Sequence, residues 1–514
     1  MIEQRSQKRL LVVPVALFCA ALLAVAVSLG PKKYVQSQLV RAVEDRFGGN
    51  MRVTHLQVSI WPSIRISGEG VEVRRQGQAE MRPLVAVRKF SLQASLWELL
   101  RPTKHIQRIW VEGLHIQVPP HDDRKEQKDG GKRTKLPVRF VVDTISSQDA
   151  ELDLMPNNPG KPVRVFMIHR LDMHSVGLGR PASYEVTLTN PKPIGQINAT
   201  GHFGPWNRDD PSATQVSGDF SFDHVDMKSI KGLEGTLSSK GKFRGALDHI
   251  EAEGETDSPD FALDISRNPV HLHTQYKAVI DGRNGDTLLQ PVRAEFLRSQ
   301  VMAEGGVYKS DDASGRQVRI NATCADGQLQ DLLHLAVKGS QPMTGDISFQ
   351  SKMDIPPGKE DIADRLKLEG RFTVRQAHFT KLNLAEKIKA LSRAGQGKPG
   401  QAGEGSDILN FSGQFSLRNG SLRLSNLAFD VPGAAFHVNG TYALRTGALD
   451  FHGTLSLQAK LSQTTTGIKS VLLKPLDPFF SKNHTTVLPI KISGTRADPS
   501  FGPDFRRKSK KPSG

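Results

Sequence analysis

Residues 410–424 read NFSGQFSLRNGSLRL, and their spacing decides the fold. Phe411, Gly413, Phe415 and Leu417 fall on one face of an extended chain; Asn410, Ser412, Gln414, Ser416 and Arg418 fall on the other. A period of two is the pattern of a half-buried β-strand. Asn419-Gly420 is the two-residue turn that closes a hairpin, and Leu422 and Leu424 resume the alternation behind it. Further on, Phe451, Gly453, Leu455, Leu457, Ala459 and Leu461 alternate with His452, Thr454, Ser456, Gln458 and Lys460. A slip of one residue would turn every apolar side chain toward water, so the pattern specifies register as well as strand.

The same rhythm runs upstream. Leu56, Val58 and Ile60 share a face, Trp61-Pro62-Ser63 reads as a turn, and Ile64, Ile66, Val71 and Val73 continue beyond it. A loose unit with Gly near its start recurs at Gly235, Gly370, Gly413, Gly440 and Gly453. A strand and turn every 10–14 residues predicts roughly 25–35 strands. At about 4.8 Å per strand, one continuous sheet of them would run well over 100 Å. Helices are few: an amphipathic one over 34–47, a short one over 95–100, and candidates over 383–394 and 466–473. The run over 121–135 is densely charged, and 395–406 is Gly-rich and reads as a flexible loop. The expected class is therefore mainly β: an elongated, curled antiparallel sheet, a taco or groove, with a few short helices.

Leu10 to Leu29 (LLVVPVALFCAALLAVAVSL) is free of charge and, as a helix, about 30 Å long, the thickness of a bilayer's hydrocarbon core. It exceeds the about 7–15 apolar residues of a cleaved signal peptide and predicts one N-terminal transmembrane helix. Arg5, Lys8 and Arg9 before it, against Lys32 and Lys33 after it, favour a cytoplasmic N-terminus. The 514 residues contain two cysteines, Cys19 within this run and Cys324, which excludes a disulfide scaffold or a four-cysteine zinc site. The net charge of +16 is scattered among strands without clustered aromatics, so nucleic acid is not the expected partner; anionic lipid headgroups are the more natural one.

No catalytic constellation emerges, so no enzyme activity, cofactor or metal is expected. His271 and His273 share a strand face, but with no nearby acidic or cysteine partner they read as surface polar residues of a strand and not as a metal site. Gly282–Gly285 reads as a turn, and Glu360, Asp361 and Asp364 as a solvated one.

Two regions resemble the AsmA-like family of bacterial envelope proteins. One is the opening: a single span, an amphipathic helix ending in Phe47-Gly48, then VTHLQVSIWPSIRISGEGVEV (53–73), VAVRKFSLQASLWELL (85–100) and IQRIWVEGLHIQV (106–118). The other is the block 410–480, closing with LPIKISGTRADPSFGPDF (488–505). The stretch 135–365 carries only the generic strand pattern. The resemblance implies a bacterial inner-membrane anchor, a periplasmic body and a repeating β-groove of the lipid-transfer type. It implies movement of phospholipid between inner and outer membranes in support of outer-membrane biogenesis, with phospholipid acyl chains, the inner membrane and envelope proteins as partners. It implies no catalytic residues.

On that basis the chain divides into a cytoplasmic N-terminus (1–9), anchor (10–29), helix and start of the groove (34–120), charged loop (121–135), middle groove (136–394), Gly-rich loop (395–406), C-terminal β region (407–505) and basic tail (506–514). Candidate groove-lining residues are Leu56, Val58, Ile60, Phe411, Phe415, Leu417, Leu422, Leu424, Phe451, Leu455, Leu457 and Leu461. Alternation alone does not separate an apolar face left open from one sealed against a second sheet. The alternative role is therefore a closed scaffold for outer-membrane protein assembly, without lipid transport.

Overall fold

The computed structural model describes residues 49–504, except 60, 62, 76–82, 100–102, 119–138, 156–162, 178, 208–209, 231, 283, 310–314, 359, 361, 381–392, 394–395, 397–407, 460–480, 483–484 and 496–497. The expected anchor over 10–29, the helices over 34–47 and 466–473, and all of 383–394 but Arg393 lie outside these residues, as do Ile60 and Leu461. No described helix is long and apolar enough to cross a membrane.

The described chain is mainly β. The strands are β1 (Gly49–Ser59), β2 (Ile64–Arg75), β3 (Val85–Ala94), β4 (Thr103–Val118), β5 (Arg139–Leu154), β6 (Arg164–Gly177), β7 (Ala182–Pro191), β8 (Ile194–Phe203) and β9 (Gln215–Asp226). There follow β10 (Leu233–Glu234), β11 (Thr236–Ala246), β12 (His249–Leu263), β13 (Val270–Ile280), β14 (Thr287–Phe296), β15 (Ser299–Lys309), β16 (Arg316–Gln328), β17 (Met343–Ile355) and β18 (Lys367–Phe379). The last are β19 (Leu409–Arg418), β20 (Ser421–Val431), β21 (Ala434–Ala443), β22 (Ala448–Leu457), β23 (Ser481–Lys482), β24 (Thr485–Thr495) and β25 (Pro499–Pro503). These 25 strands belong to one sheet, and among the described pairings β1 bonds only β2 and β25 only β24, so the sheet is open. The α-helices are short: α1 (Leu96–Leu99), α2 (Leu329–Ala336) and α3 (Ile362–Arg365).

Two compact units divide the chain. Unit 1 holds the described residues up to Ile230 with Thr236–Thr256 and Lys277–Asp286; unit 2 holds Lys231–Gly235, Asp257–Tyr276 and the described residues from Thr287 onward. In unit 1, β1 to β9 pair in sequence order and β11 follows β9. In unit 2 the order runs from β14 to β22, then β24 and β25.

One pair departs from the expected antiparallel pattern: β4 and β5 are parallel, from Thr103 opposite Arg139 to Val118 opposite Leu154. Alternation is the same for both directions, so nothing in either strand announces this. The predicted hairpin at Asn419-Gly420 is present, with both residues at positive φ (50° and 69°) and Arg418 directly opposite Ser421, the geometry of a primed turn. Bulges are frequent. His224, Gln376, Asn410 and Asn426 take positive φ where ladder registers shift, and such insertions bend a strand and increase its twist.

Candidate functional site

Register in unit 2 brings the C-terminal candidates onto one face. Phe415 lies opposite Leu424 and Leu417 opposite Leu422. Leu424 continues across Gly440 to Phe451, and Phe436 pairs with Leu455. Phe411, Phe415, Leu417, Leu422, Leu424, Phe451, Leu455 and Leu457 thus share a face. Phenylalanine rings step across it: Phe372 to Phe411 at 5.5 Å, Phe411 to Phe429 at 6.0 Å, and Phe429 stacked on Phe436 at 4.3 Å. Edge-to-face and stacked aromatic pairs at such distances add to what burial alone contributes.

Three of the five recurrent glycines now have a physical reason. Gly370 is the cross-strand partner of Phe415, Gly440 of Phe451, Gly413 of Phe372 and, in unit 1, Gly68 of Phe90. Each ring lies over the glycine, occupying the place of a side chain: a Cβ on Gly440 would sit 2.5 Å from Phe451 Cδ1, and one on Gly370 would sit 2.7 Å from Phe415 Cζ and against the Gln350 carbonyl oxygen. Replacing Gly370 with Val should therefore destabilise the protein by about 1–3 kcal/mol through overpacking. The check is the midpoint of chemical denaturation; an unchanged midpoint would mean that Phe415 does not rest on this glycine.

The face is not uniform in its contact with water. At one end, Leu329 of α2 joins Ile347, Val374, Phe436, Leu455 and Leu457 in a buried cluster. A second cluster centres on Leu427, Val438 and Phe451. Leu455 and Leu457 are 5% and 3% exposed, so these two candidates are packed against protein and do not line open space; Leu417 and Phe451 are buried as well. The row at the other end of these strands, beside the Asn419-Gly420 turn, differs. Ile320, Met353, Leu368, Leu417, Leu422 and Tyr442 stand opposite one another across β16 to β21, and all but Leu417 are only half-buried. Phe415 and Leu424 beside them are also half-buried, as is Phe411. From Ile320 to Tyr442 the row crosses five strand spacings, about 24 Å.

Unit 1 has an equivalent face. Ile64, Ile66, Leu92, Ile106, Val142 and Ile145 lie in one buried cluster, and the candidates Leu56 and Val58 pack against it half-buried. Tyr184 belongs to the same cluster, and loss of hydration pushes its phenol up to about 12.

The opposite face is polar. In unit 2, Thr323, Gln350, Arg371 and Gln414 line up across four strands and border a hollow of about 670 Å³ that Phe349 and Phe372 also touch. Its charged members have partners: Arg371 donates to Gln350 Oε1 at 2.6 Å, and Asp326 pairs with Arg375 at 3.3 Å. One reading needs correction. His271 and His273 of β13 do have an acidic neighbour, Asp257 of β12, at 2.7 and 3.6 Å. The His271 hydrogen bond holds that carboxyl below its ordinary range. Fourteen residues of separation hide a contact that strand pairing creates. Among the described residues no group of three or more His, Cys, Asp or Glu is arranged to hold a metal ion. Asp364 forms an ion pair with Arg445 at 2.5 Å.

Fold and face together define a mainly β protein in which each of the two units carries an apolar sheet face, backed in unit 2 by a polar one. No protein-family model, curated protein or solved structure matches the chain.

Proposed function

We propose that this chain is a bacterial inner-membrane protein with a periplasmic body, whose apolar sheet face carries phospholipid acyl chains between inner and outer membranes in support of outer-membrane biogenesis. The observation that carries the reading is the half-buried row from Ile320 to Tyr442. Large apolar side chains left partly in water lower the free energy of the system when something apolar covers them, by about 0.8 kcal/mol for each acyl CH₂ transferred. The row's length, about 24 Å over five strand spacings, exceeds the reach of one acyl chain, about half of a ~30 Å hydrocarbon core. A lining without a specific polar contact lets a lipid slide instead of holding it. The charge-free run over 10–29 and the resemblance to AsmA-like proteins point the same way.

The alternative is a scaffold for outer-membrane protein assembly, its apolar face closed. The tight packing around Phe436, Leu455 and Leu457 is what that reading expects throughout. Photo-crosslinkers separate the two. Placed at Met353, Phe415 and Leu424 they should capture phospholipid, while those at Leu455 and Leu457 should react with protein. Capture of protein alone at all five positions, with no phospholipid copurifying by mass spectrometry, would overturn the conduit.

A further inference from the structure

Three of the protein's four tryptophans stand at one end of the unit 1 sheet. Trp61, in the connection between β1 and β2, is 87% exposed, and Trp97, in α1 between β3 and β4, is 77% exposed. Ile64 lies opposite Ala94, so the start of β2 is beside the end of β3 and both connections leave the sheet at the same end. They are two strand spacings, about 10 Å, apart. Ala182 opposite Phe203 places the segment after β8 at that end too, and there Trp206 packs on Phe203 with ring centroids 6.0 Å apart. Exposed Arg65 and Arg180 flank the same end.

Tryptophan is among the costliest side chains to leave in water, and Trp61 and Trp97 sit on protruding connections, not in pockets. Two occupants would cover them: a protein or the surface of a bilayer. Protein hot spots lie in packed pockets ringed by other contacts, unlike two connections that project from a sheet end. An indole with an apolar body and a polar N–H is suited to the headgroup level of a membrane, and arginines beside it suit anionic lipid. The chain's charge of +16 has the same sign preference. We infer that this end of unit 1 docks on an anionic bilayer, with the Trp61 and Trp97 rings inserted at the headgroup layer. The inference shares the membrane setting of the proposed function but does not require that the apolar face carry lipid.

The test uses the full chain with Trp110→Phe and Trp206→Phe, leaving Trp61 and Trp97 as the emitters. It is reconstituted in vesicles of phosphatidylethanolamine and phosphatidylglycerol, with and without bromine on the acyl carbons nearest the headgroup. Brominated lipid should quench at least half of the emission, and aqueous acrylamide should quench severalfold less than in lipid-free detergent. Emission indifferent to bromine and fully open to acrylamide overturns the inference. Shielding that arises only when a protein extract is added, without bromine quenching, also overturns it and assigns the two rings to a protein partner. Phospholipid capture at Met353 without quenching would remove the docking surface alone; quenching without capture would remove the conduit alone.

Discussion

Replacing Leu455 with Asp should abolish cooperative folding of unit 2, whereas Leu455→Ala should only weaken it. The side chain is 5% exposed and sits among Phe436, Leu457 and Leu488. A carboxylate there would lose the leucine's packing and in addition be buried without a partner, a further cost of about 4 kcal/mol or more on top of that of truncation. Truncation to alanine removes packing alone and costs about 2–5 kcal/mol. A domain stable by about 5–15 kcal/mol has little margin for the first change. Circular dichroism with urea denaturation reads both. A near-normal transition for Leu455→Asp would mean that this end of the face is open to water, and the division into a sealed end and a half-wet row would fail.

Met353→Glu should do the reverse: leave the fold standing and stop lipid. Met353 is half-buried in the row between Ile320 and Leu368. Its exposed edge lets a carboxylate reach water, so the cost to folding is modest. An acyl chain crossing that point must then pass a charge or strip its hydration. An unfavourable polar contact of about 1–3 kcal/mol corresponds to roughly a five- to hundredfold fall in transfer, at about 1.4 kcal/mol per factor of ten. Transfer of fluorescent phospholipid between donor and acceptor vesicles measures it, with Gln350→Glu on the polar face as the control that should change little. Equal loss from both substitutions would detach transfer from the apolar row.

Much of the architecture is legible in the residues alone. The alternation from Phe411 to Leu424 specifies the strands, the primed turn and the shared face, and each is present. The short helix expected over 95–100 is found as Leu96–Leu99. The helix Leu329–Ala336 is not among the expected ones, although Leu329, Leu332, Leu333 and Ala336 carry the helical spacing; a single run of eight residues between strands is a faint signal. The His271–Asp257 contact leaves no trace in the sequence, because it depends on which residues two strands set opposite each other.

By itself the sequence determined which residues form strands and which side chains share a face, because both follow from a period of two along a local stretch. Only the tertiary structure decided that β4 and β5 run parallel, that Leu455 and Leu457 are sealed while Met353 and Phe415 remain half-wet, and that Trp61 and Trp97 emerge side by side. These depend on bulges, on α2 packing over one end of the face, and on distances between residues far apart in the chain. Local alternation carries no record of any of the three.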